Sequence, residues 1–309
     1  MKTKQEPITE FLENYQNEKT KSNYLTAVTH FLKFVSSANH GDSADVNTLA
    51  RRYLRKIRIG RHDYKKDLRM FAFYLNKRYA STTSHLYFRC TITWLIDNGS
   101  TINQRDLQRI YAQLPKPAPI ENNIELKRRI FRELYNYFPE DIQTLLLVML
   151  ASGMRIGEAL RLNIDDVSWN RERTEIHIRA EITKTKKSRV AYLTSEARLS
   201  LIEYLENRRD DSEKLFAISY SRAQSIMRNA SENLGYSKRI DGQHRGLHWH
   251  MTRKWFISRF TLAANKDVAE HIAGHEGYLS ASYRRYTRKQ ILKQYRKAEK
   301  KLSILKDGY

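Results

Sequence analysis

The sequence predicts a mainly α-helical protein of two domains: an all-helical amino-terminal domain, then a mixed α+β domain carrying a small antiparallel sheet. Three observations predict it. Apolar residues recur at spacings of three and four along most of the chain, which places them on one side of successive helices. A single stretch in the second half, Thr174 to Ala180, alternates apolar and polar residues with the period of a half-buried strand. Between the two regions, Pro115, Pro117 and Pro119 sit in Gln-Leu-Pro-Lys-Pro-Ala-Pro-Ile-Glu-Asn-Asn. Alternating prolines remove backbone donors and force extended geometry, so this segment reads as a linker. It gives a first domain over 1–113, a linker over 114–123 and a second domain over 124–309.

The first domain opens on the stripe Ile8, Phe11, Leu12, Tyr15, followed by Tyr24, Val28, Phe31, Leu32, Val35. Leu68, Phe71, Ala72 and Leu75 make a third stripe. Phe88, Ile92, Leu95 and Ile96 make a fourth, closed by Asn98-Gly99, a pair that stops a helix. A compact bundle of four or five helices is expected. The stretch from Arg51 to Arg78 is dense in cations interleaved with Tyr53, Tyr64 and Tyr74. Backbone phosphates suit such a density, and Lys65, Lys66 and Arg69 are the candidate DNA contacts; a plain solvated helix face is the alternative.

In the second domain, Leu145 to Leu150 is apolar all round, as in a buried helix, and Ser152-Gly153 ends it. The strand turns Thr174, Ile176, Ile178 and Ala180 inward and leaves Glu175, His177 and Arg179 to solvent. After the polar turn from Lys184 to Ser188, Val190 to Leu193 supplies a return strand. Helical signals resume at Ser195 and run to the end, interrupted mainly from Gly242 to Gly246. The tail, with Ile291, Tyr295, Ala298 and Leu302 at spacings of four and three, is an amphipathic helix whose plain role is to pack on its own domain.

Charge narrows the function. With 56 Lys+Arg against 34 Asp+Glu the formal charge is +22, spread along the whole chain, which points to nucleic acid ahead of an anionic membrane. Aromatic residues at 11% and repeated apolar stripes exclude a disordered chain. The single cysteine, Cys90, excludes an intrachain disulfide and a thiolate metal cluster, and its place near Trp94 suggests packing. The longest apolar run, Leu145 to Ala151, falls far short of the roughly 20 residues of a spanning helix, and the first residues lack the apolar core of a signal peptide. A soluble, cytoplasmic protein with no membrane partner is expected.

Four local motifs carry chemistry. In Ala151-Ser-Gly-Met-Arg155-Ile-Gly-Glu158, Arg155 follows a glycine break and opens a helix, where a guanidinium can reach an anion; Glu158, one turn on, can hold it by an i,i+3 contact. In Ile182-Thr-Lys184-Thr-Lys-Lys-Ser-Arg189, a lysine at the tip of a strand pair can be set over a phosphate, although chemistry alone does not separate Lys184 from Lys186 and Lys187. In His248-Trp-His250-Met-Thr-Arg253-Lys-Trp, His250 and Arg253 share a helix face while Met251, Trp255 and Leu262 mark the inward one. A guanidinium fork binds two non-bridging oxygens while an imidazole moves a proton. A zinc site from His244, His248 and His250 is the weaker reading, because the neighbourhood is cationic. Last, in Gly274-His275-Glu-Gly-Tyr278-Leu-Ser-Ala-Ser-Tyr283-Arg-Arg-Tyr286, a turn aims His275 inward and tyrosines follow; phenol, with a pKa of about 10, reacts at neutral pH only among cations.

Taken together, over roughly Asn122 to Leu302, these motifs resemble the tyrosine recombinase or phage-type integrase family. In that family an arginine in Gly-x-Arg-x-x-Glu, a hairpin lysine, a His-x-x-Arg helix, a Gly-His and a tyrosine follow in this order. The resemblance implies a core-binding (SAM-like) helical domain ahead of a catalytic domain, and a DNA recombinase that cuts and rejoins strands through a 3′-phosphotyrosyl link with neither ATP nor metal. By position, Arg155 and Arg253 would clamp the phosphate, Lys184 would protonate the leaving 5′ oxygen, His250 would act as acid or base, and His275 would bond the phosphate. Tyr283 would be the nucleophile, eight residues after His275 where the family usually has about nine; Tyr286, at eleven, is the second candidate. Double-stranded DNA and a homotetramer on two DNA sites are the implied partners, and the resemblance offers a second role for the tail helix, docking on a neighbouring subunit so that assembly is coupled to tyrosine placement. The rival readings are a catalytically silent DNA-binding protein of the same fold, and a metal-dependent nuclease using Asp165 and Asp166.

Overall fold

A computed structural model describes residues 6–36, 44–116, 124–170, 173–240, 243–274 and 286–305, with 238–245 described as backbone only. The chain forms two compact units, Met1–Glu121 and Asn122–Tyr309. Residues 117–123, the larger part of the expected linker, lie outside the described residues.

The described part of the first unit contains six helices: α1 (Pro7–Glu13), α2 (Glu18–Ser36), α3 (Val46–Arg58), α4 (Tyr64–Arg78), α5 (Ser81–Asp97) and α6 (Gln104–Tyr111). Four coincide with the apolar stripes. The core holds Phe11, Phe31, Phe71, Phe88 and Trp94, all at most 2% exposed, with α2 packed along α5. Helix α3 arises in the stretch read for its charge. Asp45 caps it by accepting from Asn47 N and Thr48 N, and it buries Leu49, Ala50, Tyr53 and Leu54. Tyr53 is therefore a core residue, its hydroxyl donating to Asp67 Oδ2 at 2.9 Å. Ile96 departs from the expected stripe. It is 50% exposed, because Trp94 and Thr91 take the inward positions of the last turns of α5. Cys90 is buried as expected.

The second unit is built around α8 (Glu140–Ser152), in which every residue from Thr144 to Ser152 is buried. Gly153, at φ 64°, ends it in the left-handed conformation that favours glycine. Around α8 lie α7 (Arg128–Tyr137), the short α9 (Ile156–Ala159), α10 (Ser195–Asn207), α11 (Tyr220–Asn233), α12 (His250–Thr261), α13 (Lys266–Ala273) and α14 (Arg288–Leu302). An antiparallel sheet of β1 (Val167–Trp169), β2 (Thr174–Ile178) and β3 (Arg189–Tyr192) covers one side, with Ile176 opposite both Val167 and Ala191.

Two details of the strands differ from the sequence pattern. Glu175 is buried at 4% exposure, because Arg288 Nε donates to its Oε1 at 2.8 Å and Asn170 to its Oε2 at 3.2 Å. The interruption before α12 contains a second hairpin, β4 (Lys238–Ile240) with β5 (Gln243–Arg245), Ile240 facing Gln243. Asp241-Gly242 is a two-residue hairpin signal, but the flanking residues lack the apolar alternation that would have drawn attention to it.

The tail helix α14 packs on α12 and α8 of its own unit and buries Ile291, Leu292, Tyr295, Ala298 and Leu302. Tyr295, 0% exposed, donates its hydroxyl to Ala151 O at 2.8 Å and Tyr192 O at 3.0 Å. Arg173 pairs with Glu299, which also accepts from Ser195 N. Among the described residues no helix is long and apolar enough to cross a membrane.

Candidate active site

Gly153 sends the chain out of α8 so that Arg155 becomes the cap residue of α9. Glu158 sits one turn later and is buried at 1% exposure. Its Oε2 accepts from Arg155 N at 2.9 Å and its Oε1 from Arg155 Nη1 at 2.9 Å, so the expected i,i+3 contact is present. The other partner of the carboxylate was missed in the sequence. Arg189, the first residue of β3 and 6% exposed in its side chain, donates Nη2 to Glu158 Oε2 at 2.6 Å and Nε to Ile272 O at 2.9 Å. The sequence holds one hint, though not the partner: Arg189 alternates in phase with Ala191 and Leu193, both buried, and a cation on that face requires a buried partner.

Arg253 comes from the third position beyond the start of α12 and is 2% exposed. Its Nη1 donates to Gly153 O at 3.0 Å and to Ala273 O, the last residue of α13. Its Nη2 is buried and has no hydrogen-bond partner among the described residues. Burial first, and then the Arg155 and Arg189 charges, lower its pKa to about 10, with Glu158 acting the other way. Burial alone would raise the Glu158 carboxyl, but Arg189 and Arg155 hold it below the usual carboxylate range. Three guanidiniums thus converge on one carboxylate among the described residues, an arrangement with anion-binding capacity to spare.

His250 opens α12 with its side chain solvent-accessible. Loss of surrounding water lowers its pKa, and Arg253, His248, Lys254 and Arg155 push the same way, so the neutral ring is favoured. Its ring lies 6.5 Å from that of His248, nearly parallel. The expected inward face of α12 holds at Met251 and Trp255, but Leu262 is 65% exposed, because the helix ends at Thr261 and Phe260 takes the last core position.

Lys184 is exposed on the turn before β3. Thr183 fixes the base of that turn, accepting from Lys187 N at 3.1 Å, while among the described residues no hydrogen bond or ion pair ties Lys184 to the arginine cluster. His275 and Tyr283 lie outside the described residues. Tyr286 is half-buried against the core of the unit. The side chain of His244 is also undescribed, and among the described residues no three His, Cys, Asp or Glu come together as metal ligands. Asp166 is engaged structurally: it accepts from Asn163 N at 2.8 Å and pairs with Arg179 at 2.8 Å. In the first unit Lys65 pairs with Asp106 at 2.7 Å, whereas Lys66 and Arg69 are exposed.

Solved structures share this fold. Lambda integrase, in a dimer bound to a COC′ core site, is 13% identical and aligns over 91% of this chain and 98% of its own, with a TM-score of 0.63. The XerH site-specific recombinase bound to difH substrate is 16% identical over 91% of this chain and 76% of its own, with a TM-score of 0.56. Identities this low carry the fold alone. No curated protein sequence matches the chain. The phage integrase family, however, matches residues 128–292, more than half of the sequence and the span that holds Arg155, Glu158, Arg189 and Arg253. This chain belongs to the phage integrase family.

Proposed function

We propose that the protein is a site-specific DNA recombinase that cleaves and rejoins strands through a 3′-phosphotyrosyl intermediate. The observation that carries this reading is the buried Arg253 Nη2, without a partner among the described residues and beside Arg155, in a cluster of three guanidiniums and one carboxylate. A buried donor without an acceptor costs about 1–3 kcal/mol, which a phosphodiester oxygen would recover. Arg253 Nη2 would take one non-bridging oxygen of a DNA phosphate and Arg155 the other.

The tyrosine oxygen attacks phosphorus, the bond from phosphorus to the 5′ oxygen breaks, and the tyrosyl ester keeps the 3′ phosphate. Lys184, exposed on its turn, protonates the departing 5′ oxygen. His250, held toward its neutral form, accepts the phenolic proton on attack and returns it when the strand is rejoined. His275 donates to a phosphate oxygen. Preplaced cations stabilise the charge that grows on the phosphorane, the main term expected for phosphoryl chemistry. Tyr283 is the nucleophile; Tyr286 spends part of its surface packing on the core, a role at odds with attack on DNA. On the first unit, Lys66 and Arg69 contact DNA phosphates, with Lys65 available on release from Asp106. Exchange of strands between two duplexes, with a cut in each of four strands, calls for a homotetramer on two sites.

The test is covalent capture from a randomised pool of nicked suicide duplexes, with EDTA present. Wild type is expected to form a detergent-stable protein–DNA adduct, Tyr283→Phe to lose it and Tyr286→Phe to keep it. DNA binding without any adduct would establish the silent DNA-binding alternative. An adduct that persists in Tyr283→Phe and vanishes in Tyr286→Phe would move the nucleophile.

A further inference from the structure

We infer that Arg189 is a positioning residue for strand cleavage, locking the Arg155–Glu158 motif to the end of α13, from which the Gly274-His275 motif departs. This inference rests on the recombinase reading.

One side chain spans three elements. From β3, Arg189 reaches Glu158 of α9 through Nη2 and the last turn of α13 through Nε, at 2.6 Å and 2.9 Å. Helix α13 ends with carbonyls that lack helical donors, the negative end of its dipole, so a guanidinium there has two reasons to bind. Arg253 takes the neighbouring carbonyl, Ala273 O. The guanidinium of Arg189 passes where a side chain on residue 274 would lie. A β-carbon on Gly274 would stand 2.8–2.9 Å from Cζ, Nε and Nη1 of Arg189, closer than carbon atoms approach such groups. Gly274 also sits at φ 69°, so its conformation and its missing side chain serve the same junction.

Arg189 differs in kind from Arg253. Its Nε and Nη2 are both committed to protein acceptors, whereas Arg253 keeps a buried donor without a partner among the described residues. Arg189 therefore acts through others. It holds the carboxylate that fixes Arg155, and it fixes the point from which the chain leaves for His275. Lysine cannot replace it fully: an ammonium can satisfy Glu158, but the fixed fork that also meets Ile272 O is absent.

Three variants test this, each compared with wild type for single-turnover cleavage of a suicide duplex recovered from the randomised pool, for affinity to the same duplex unnicked, and for thermal unfolding. Arg189→Met is expected to cleave about 100-fold more slowly, the scale of a misplacement of about 1 Å in a reacting constellation. DNA affinity should be unchanged. Gly274→Ala, which removes no charged group but displaces the guanidinium, should reproduce the slow cleavage. Arg189→Lys should recover part of the rate. The pH profile supplies a readout that general loosening would not move. Glu158 is faced by Arg155, Arg189 and Arg253, and Arg189 is the strongest of the influences holding it ionised. The steep second part of the acid limb, below the part set by protonation of His250, should therefore move to higher pH in Arg189→Met and stay in place in Arg189→Lys. If folded Arg189→Met or Gly274→Ala cleaves like wild type, the inference is overturned. It is equally overturned if the slower rate merely follows weaker DNA binding with the steep second part of the acid limb unmoved. Absence of an adduct with wild type would instead sink the recombinase reading.

Discussion

Replacing Tyr295 by phenylalanine removes one oxygen from the centre of the second unit and leaves its shape intact. The hydroxyl is shared between Ala151 O and Tyr192 O, tying α14 at once to the end of α8 and to β3. Ala151 lies in the last turn of α8, where the amide that would normally bond it belongs to Arg155, and that amide is spent on Glu158. The carbonyl thus depends on Tyr295. One hydroxyl proton serves two acceptors, so the loss is less than two full bonds, but it strands buried oxygen; about 2 kcal/mol is expected. For a unit of this size that corresponds to roughly 4–8 °C in Tm. Urea unfolding of the full chain, followed by fluorescence of the buried Trp249 and Trp255, should show a lower midpoint with an unchanged slope. A Tyr295→Phe protein within about 0.5 kcal/mol of wild type would refute the reasoning, since that is the range of surface changes that touch nothing.

Gly153→Ala should destabilise by about 2–4 kcal/mol, because φ 64° penalises an L residue and the new methyl would stand 2.7 Å from Cγ of the buried Phe256; thermal unfolding measures it. In an NMR titration His250 should titrate below the ordinary histidine value of about 6.5, and Arg253→Met should raise its midpoint by removing a neighbouring cation. Burial would raise the Glu299 carboxyl, but Arg173 and Ser195 bring it below its usual value, so its contribution is full above the unfolded pKa of about 4.3 and fades as pH falls through the depressed folded value. Acid unfolding of Arg173→Met should accordingly begin at higher pH than that of wild type. Lys66→Gln and Arg69→Gln should each flatten the plot of log affinity against log salt by about 0.9 for every phosphate that the variant no longer neutralises, measured on duplex DNA.

Much of this architecture was legible because periodicity reports burial directly. The stripes of α2, α4 and α5 gave their inward faces, and Thr174, Ile176 and Ile178 gave the face of β2. Helix α3 was obscured because its cations outnumber the four residues that bury it. Arg155 and Arg253 stand in motifs whose spacing matches their chemistry, and the structure brings both to one carboxylate system. Arg189 escaped notice because its partners are 31 and 83 residues away in the chain, a pairing that local spacing does not encode. Glu175 misled for the same reason: the Arg288 that buries it is 113 residues distant.

The surplus of guanidinium over carboxylate around Glu158 also bears on how long the protein survives. Confining like charges raises the free energy of the folded chain, and Arg253 already shows the strain in its lowered pKa. Any anion that binds the folded form alone adds stability in proportion to the logarithm of its concentration over its dissociation constant. If that anion is the proposed duplex, the protein held on DNA is the sturdier one, and chains without a duplex are the first to open to proteases. Occupancy of the site would set abundance as well as chemistry, and sulfate or phosphate in a storage buffer would prolong the life of the unbound protein.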